Sequence, residues 1–241
     1  MTDTGLSLGG RRVVVIGGTS GIGFAVAELA RRLGAEVVVA SSSPEKVQAA
    51  TRRLGGGTGQ VMDLRHEDSV AEFFGALGPF DHLVSTAGDW TGAMRGSTPD
   101  LDLAQARQFL EVRFWGVLAA VKYASRTIAQ DGSITLTSGV RAHRPARGAP
   151  LGAALGGAVE HLTYGLAVDL APIRVNAVCP GLVLTEAVQQ TPPERLRAMV
   201  APLPLPRAAA PAEAAQAYVY LMLNTYTTGQ ILPVDGGGLL V

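Results

Sequence analysis

Arg12-Val13-Val14-Val15-Ile16-Gly17-Gly18-Thr19-Ser20-Gly21-Ile22-Gly23 is the stretch that decides the fold. Its first five residues are a short apolar run, as in a strand buried on both faces. Gly17 to Gly23 then form a glycine-rich turn. From Gly21 to Leu33 the apolar residues Ile22, Val26, Leu29 and Leu33 fall on one helical stripe. A strand, a glycine turn and a helix in this order place free backbone N–H groups and a positive helix end at one point. Glycine lets the chain turn sharply there and approach a pyrophosphate closely.

The same alternation continues outward. Glu36–Ala40, Gln60–Met62, Phe80–Ser85, Ser133–Leu136, Arg174–Val178 and Ile231–Leu232 read as strands. Between them, Pro44–Arg53 (with Ser43 as its cap), Glu67–Leu77, a long Asp102–Ala129, Leu151–Leu170 and Ala212–Leu223 read as helices. Apolar strands alternating with helices predict an α/β parallel sheet of about seven strands with helices on both faces. Half of the 14 prolines fall between Pro180 and Pro211. That irregular stretch reads either as a set of turns or as a lid over a site.

Composition narrows the function classes. A chain of 241 residues with 47% hydrophobic and 17% charged residues suits one domain, 1–241, with a sizeable core. Twenty basic and twenty acidic residues cancel, which argues against nucleic-acid or membrane-surface binding through bulk charge. One cysteine makes neither an internal disulfide nor a metal cluster, so no metal is expected. With no apolar signal or membrane-length segment, the chain reads as soluble and cytoplasmic.

The motifs resemble the short-chain dehydrogenase/reductase family over nearly the whole chain. The glycine turn is similar to its T-G-x-x-x-G-I-G. Asp63-Leu64 falls where the family places an Asp near the adenine, and Ser85-Thr86-Ala87-Gly88 stands for its N-N-A-G. Ile134–Ser138 matches the strand that ends in the family's serine. Arg174–Gly181 with Thr185 matches V-N-x-x-x-P-G-x-x-x-T, and Val234–Gly237 matches D-G-G. The resemblance implies a Rossmann-type doubly wound sheet and a nicotinamide dinucleotide at its C-terminal edge. It implies that Gly17, Ile22 and Gly23 hold the pyrophosphate and that Val183 and Thr185 hold the carboxamide. Thr19, Ser20, Gly21, Ala87, Gly88, Pro180 and Gly181 are expected to bind the cofactor with them. It also implies a homodimer or homotetramer.

After the second strand the chain has Ser41-Ser42-Ser43 and no carboxylate to repel a 2′-phosphate. This favours NADP(H) over NAD(H), although the family's basic partners are absent and Lys46 is the nearest cation. The serines also have a plain reading as helix caps.

The catalytic pattern departs from the family. Ser138 is kept, but by spacing Leu151 stands for the tyrosine, Leu155 for the lysine and Arg113 for the asparagine. Tyr164 lies three helical turns too far on to replace the phenol. Arg113 reads either as a structural ion-pair partner or as an anion-binding group in the cleft. Arg141, His143, Arg144 and Arg147 form either a solvated loop or an anion-recognising edge, with His143 able to serve as an acid or base. Cys179 reads as a buried small residue, His161 as structural or at a subunit contact, and Asp89 and Trp90 as a pocket border. Three functions stay open: an oxidoreductase on a small carbonyl or alcohol, neutral or anionic, with Ser138 polarising it, a non-redox enzyme on the same fold, and a silent nucleotide-binding protein.

Overall fold

The computed structural model describes residues 6–88 and 96–241. Asp89 and Trp90 lie outside the described residues. Seven strands, β1 (Arg12–Ile16), β2 (Glu36–Ser41), β3 (Thr58–Val61), β4 (Phe80–Ser85), β5 (Ile128–Thr137), β6 (Arg174–Pro180) and β7 (Ile231–Val234), form one sheet. All pairings are parallel and the order is β3-β2-β1-β4-β5-β6-β7. The chain order reverses between β1 and β4, and the crevice beyond their carboxyl ends is where such sheets bind ligands.

Val13 and Val15 of β1 pack on one side of the sheet, against helix α1 (Gly21–Arg32), helix α2 (Pro44–Leu54) and helix α9 (Pro211–Leu223). Val14 and Ile16 pack on the other, against α3 (Glu67–Leu77), α4 (Leu103–Leu110), α5 (Val117–Ala124) and α6 (Pro150–Asp169). Alternate side chains of one strand enter opposite cores, which is why the run is apolar throughout. Two short helices, α7 (Glu186–Gln189) and α8 (Pro193–Val200), lie in the proline-rich stretch and bury none of their residues.

The expected long helix at 102–129 is divided. It carries a wider turn at Glu111–Gly116, where i→i+5 bonding replaces the regular ladder, and helix ends at Ala124. Gly116 sits there because a Cβ would lie 2.4 Å from the Leu64 carbonyl oxygen. Residues from Ile128 onward join β5 instead. The β4–β5 register then shifts between the Phe80–Ile128 and His82–Ser133 pairs. Helical periodicity alone could not see this, because the pairing comes from β4, far away in sequence.

His82 and Ser133 face each other across that pair, with His82 Nδ1 2.9 Å from Ser133 Oγ. Burial, and then the Arg174 cation, push the imidazole down from 6.5 to about 4. An unfolded chain takes up this proton near 6.5 and the folded one only near 4, so acid favours unfolding across that window. At about 1.4 kcal/mol per pH unit the total loss is about 3 kcal/mol. Melting temperature measured against pH should fall more steeply between about 6.5 and 4 in the wild type than in His82→Gln. Parallel curves would show that His82 does not set this dependence.

Candidate active site

The glycine turn closes on the end of β4. Thr86 N donates to the Ile16 carbonyl at 2.9 Å, and Thr86 Oγ1 donates to the same oxygen at 3.2 Å. Gly17 has a φ of +80°, and a Cβ there would lie 2.7 Å from Ala87 N. A Cβ on Gly23 would lie 2.3 Å from both the Gly17 oxygen and Thr86 Oγ1. Thr19 is buried and Ser20 exposed, with Ile22 half-buried at the start of α1. Ser20 precedes α1 without capping it through its side chain, and the first turn holds no acidic residue. The helix end is therefore open to an anion from elsewhere.

An anion from this chain sits there. Glu186 Oε2 accepts from Gly21 N at 3.0 Å. Thr185, the N-cap of α7, lies beside it, its Cγ2 3.0 Å from where a Gly21 Cβ would be. Val183 bridges to Ala209, and Gly181 N donates to the Val234 oxygen at 2.9 Å, continuing from Pro180 at the end of β6. Gly181 also lets the chain pass Asp235, whose Cα would be 2.7 Å from an added Cβ. Pro180, Gly181, Val183 and Thr185 thus line up from the sheet edge to the glycine turn. The Gly21 N–H thus receives an anionic oxygen, and a turn with that donor fits the phosphate of a dinucleotide.

Around the expected adenine end, Asp63 accepts from Arg65 Nη2 at 2.7 Å, which holds its carboxyl below the usual range. Leu64 is buried against Gly116. Ser41 is half-buried and Ser42 exposed. Ser43 caps α2, accepting from Lys46 N at 3.2 Å and donating to Glu45 Oε2 at 2.8 Å. Its hydroxyl is thus committed to the helix.

Ser85, Ala87, Arg113, Ser138, Arg141, Gly152, Leu155, Gly156 and their neighbours line one cleft at the carboxyl ends of β4 and β5. Arg113, on the wide turn after α4, is 6% exposed. Its guanidinium passes directly over Gly88, where a Cβ would lie 2.3 Å from Cζ. Only glycine leaves that space open. Arg113 and Ser138 therefore share one cleft.

Leu151 packs against the apolar core, and the α6 residues lining the cleft are Gly152, Leu155, Gly156 and Val159. The α6 face toward Ser138 thus includes Leu155, the position that spacing gives to the lysine. It carries no phenol and no ammonium. Gly156 brings α6 against the turn after Ser138, where a Cβ would lie 2.9 Å from Ala142 Cβ. Tyr164 is 44% exposed and meets His161 edge-on at 5.6 Å. Arg144 and Arg147 are exposed.

Glu160 is the residue that the sequence reading missed. It is 3% exposed on α6 and accepts from Ser138 Oγ at 2.8 Å. His143 Nε2 approaches its Oε2 at 2.8 Å and its Oε1 at 3.1 Å. Cys179 is buried nearby, and burial first among several causes pushes its thiol up to about 11. Among the described residues, donor atoms of His143, Glu160 and Cys179 lie within 4.8 Å of one another. The available signal was an acid in the middle of the Gly- and Ala-rich run 151–170, whose other acid, Asp169, stands at its end, since an acid on a buried face needs partners.

The fold and the glycine turn define a Rossmann-type α/β protein. A family model described as enoyl-(acyl carrier protein) reductase matches residues 17–238. The chain is 38% identical, over 99% of both sequences, to the short-chain dehydrogenase/reductase ucsE of an Acremonium species. A solved small-chain dehydrogenase in complex with NADPH is similar at 37% identity and a TM-score of 0.82, covering 96% of this chain and 99% of that one. The MalC reductase/Diels-Alderase of Malbranchea aurantiaca is similar at 32% identity and a TM-score of 0.91, covering 97% and 98%. The chain belongs to the short-chain dehydrogenase/reductase family, oxidoreductases that bind nicotinamide cofactors.

Proposed function

We propose that this chain is an NADP(H)-dependent oxidoreductase that interconverts a small carbonyl and its alcohol, with Ser138 polarising the oxygen. The observation that carries this reading is the cleft shared by Ser138 and Arg113, which opens beside the glycine turn. The bound reduced nicotinamide supplies a hydride. Gly17 and Thr19–Gly23 hold the pyrophosphate, Asp63 and Leu64 flank the adenine, and Ala87, Gly88, Pro180, Gly181, Val183 and Thr185 flank the nicotinamide. Ser41 and Ser42 face a 2′-phosphate without adding a carboxylate, and Ser43 adds the α2 N-terminus. Glu45, hydrogen-bonded to Ser43, is the one acid nearby and weakens this preference without removing it. Arg113, charged at any working pH, favours a substrate carrying an anion or a developing oxyanion.

Calorimetry with NADPH and NADH tests the cofactor. A panel of neutral and carboxylate-bearing ketones, followed by NADPH oxidation, tests the reaction. NADPH-selective binding with turnover, strongest on the anionic ketones, is the expected result. Failure to bind either nucleotide would overturn the reading.

A second reading, substrate positioning without redox change, is favoured by the α6 face of Gly152, Leu155 and Gly156. NADPH binding with no oxidation on any carbonyl would select it.

The stretch 180–211 acts as a lid in this reading, with Glu186 holding the pyrophosphate place until the cofactor enters. Glu186→Gln removes the competing charge, so NADPH affinity should rise about 3- to 10-fold. Unchanged affinity would show that the carboxylate does not compete. Trp115, Tyr164 and Val168 are 55%, 44% and 81% exposed on the α4–α6 side, which suits burial between subunits of a homodimer or homotetramer.

A further inference from the structure

We propose that Ser138, Glu160 and His143 form a proton relay that takes over the work of the missing tyrosine and lysine. The proposal rests on the carbonyl-oxidoreductase reading above. Three observations carry it. Ser138 lines the cleft. Its Oγ donates to buried Glu160 Oε1 at 2.8 Å. The His143 side chain, 46% exposed, meets the same carboxylate at 2.8 Å and 3.1 Å. The three residues thus connect a buried reaction cleft to solvent without a gap.

The polarity of the chain follows from its chemistry. An ionised carboxylate only accepts hydrogen bonds, so His143 Nε2 carries a proton toward Glu160. Oε1 is common to both neighbours, so a proton crosses Glu160 without rotation of the carboxyl group. In the oxidative direction the substrate hydroxyl gives its proton to Ser138 Oγ as Ser138 gives its own to Glu160. Through exchange with water His143 takes its Nδ1-protonated form, accepts the Glu160 proton at Nε2 and releases the Nδ1 proton to water, which restores the starting state, and an oxidised nicotinamide would accept the substrate's hydride. In the reductive direction a bound reduced nicotinamide would supply the hydride to the carbonyl carbon. Ser138 Oγ–H protonates the carbonyl oxygen as His143 Nε2 passes its proton through Glu160 Oε1 to Ser138 Oγ; Nδ1 takes a proton from water, and exchange with water returns His143 to its Nε2-protonated form. One hydride and one proton are transferred and every group returns to its starting state.

The layout has local support. Gly156 permits α6, which carries Glu160, to lie against the turn that carries His143. Cys179 and Asp235 are the other titratable groups that bear on this cluster. A metal is the rival occupant of His143, Glu160 and Cys179. The direct 2.8 Å contact between Glu160 and His143 is a hydrogen bond, and a thiol pushed up to about 11 offers little thiolate ligand at neutral pH.

Glu160→Gln keeps the shape and a hydrogen bond but cannot pass a proton, and His143→Ala alters only an exposed side chain. With NADPH bound and a ketone that the wild type reduces, Glu160→Gln should lower the single-turnover rate about 10²-fold, with NADPH affinity within about twofold. His143→Ala should slow turnover less, and added imidazole should restore it, while Glu160→Gln gains nothing from imidazole. The wild type should show a solvent deuterium isotope effect on this step. Independently of turnover, the His143 Nε2 proton should appear in the cofactor-free wild type as an exchange-protected resonance and vanish in Glu160→Ala. Wild-type rates in Glu160→Gln, no imidazole rescue, or a persistent resonance would each overturn the relay while leaving the reductase reading intact. A wild type that binds NADPH yet reduces no ketone would overturn both.

Discussion

Gly23→Ala is expected to loosen the whole nucleotide end of the molecule. In an ordinary exposed helix, exchanging glycine for alanine stabilises by about 1 kcal/mol. Here the new Cβ would lie 2.3 Å from the Gly17 carbonyl oxygen and 2.3 Å from Thr86 Oγ1. The first of these atoms is backbone and cannot swing away. Either α1 retreats from the turn or the turn opens away from β4, breaking the Thr86 contacts to the Ile16 oxygen. Overpacking of this kind costs about 1–3 kcal/mol. The retreat also moves the N–H groups that would meet the pyrophosphate, so NADPH affinity should fall more than about 10-fold with the lost charge-assisted hydrogen bonds. Thermal melting and calorimetry report the two effects. Gly157→Ala is the control: nothing lies within 4 Å of its Cβ, so it should leave nucleotide affinity alone and raise stability by about 0.5–1 kcal/mol. Equal behaviour of the two variants would show that close packing at Gly23 is unimportant.

Ser138→Ala should have the largest effect on chemistry. Ser138 is 2% exposed, lines the cleft and is hydrogen-bonded to Glu160. Under the proposed function its loss removes the hydroxyl that polarises the carbonyl, and it also removes the hydrogen bond to Glu160. General acid–base and oxyanion contributions of this kind are each worth about 10²–10³ in rate, so turnover should fall about 10³-fold while NADPH affinity changes little. The fold should survive, because one buried hydrogen bond is worth about 1–2 kcal/mol. Turnover within about twofold of the wild type would remove Ser138 from the mechanism. A parallel collapse of melting temperature and nucleotide affinity would make its role structural.

Much of the architecture was legible before any coordinates. Apolar runs such as Val13–Ile16 and Val37–Ala40, with Gly17–Gly23 between the first strand and helix, specify strand, turn and helix locally. Arg113 and Ser138 could be singled out because they stand at fixed distances from recognisable motifs. The ends of β5 and the break in the long helix were not legible, because β4 decides them through pairing and a register shift.

By itself the sequence determined the parallel sheet, the glycine-rich turn, the serine at the end of β5 and the absence of a tyrosine and lysine at the spacing the family resemblance gives. These are properties of local order, and local order fixes hydrophobic period and glycine placement. Tertiary structure alone decided which side chains meet. It turned Gly152 and Leu155 toward the cleft, laid Arg113 across Gly88, set Glu186 on the Gly21 N–H, and joined Ser138 to Glu160 and His143. Each of those contacts depends on the rotation of a helix or the approach of a distant loop. A change of one residue in helix phase turns a side chain by about 100°, and motif spacing does not fix that phase.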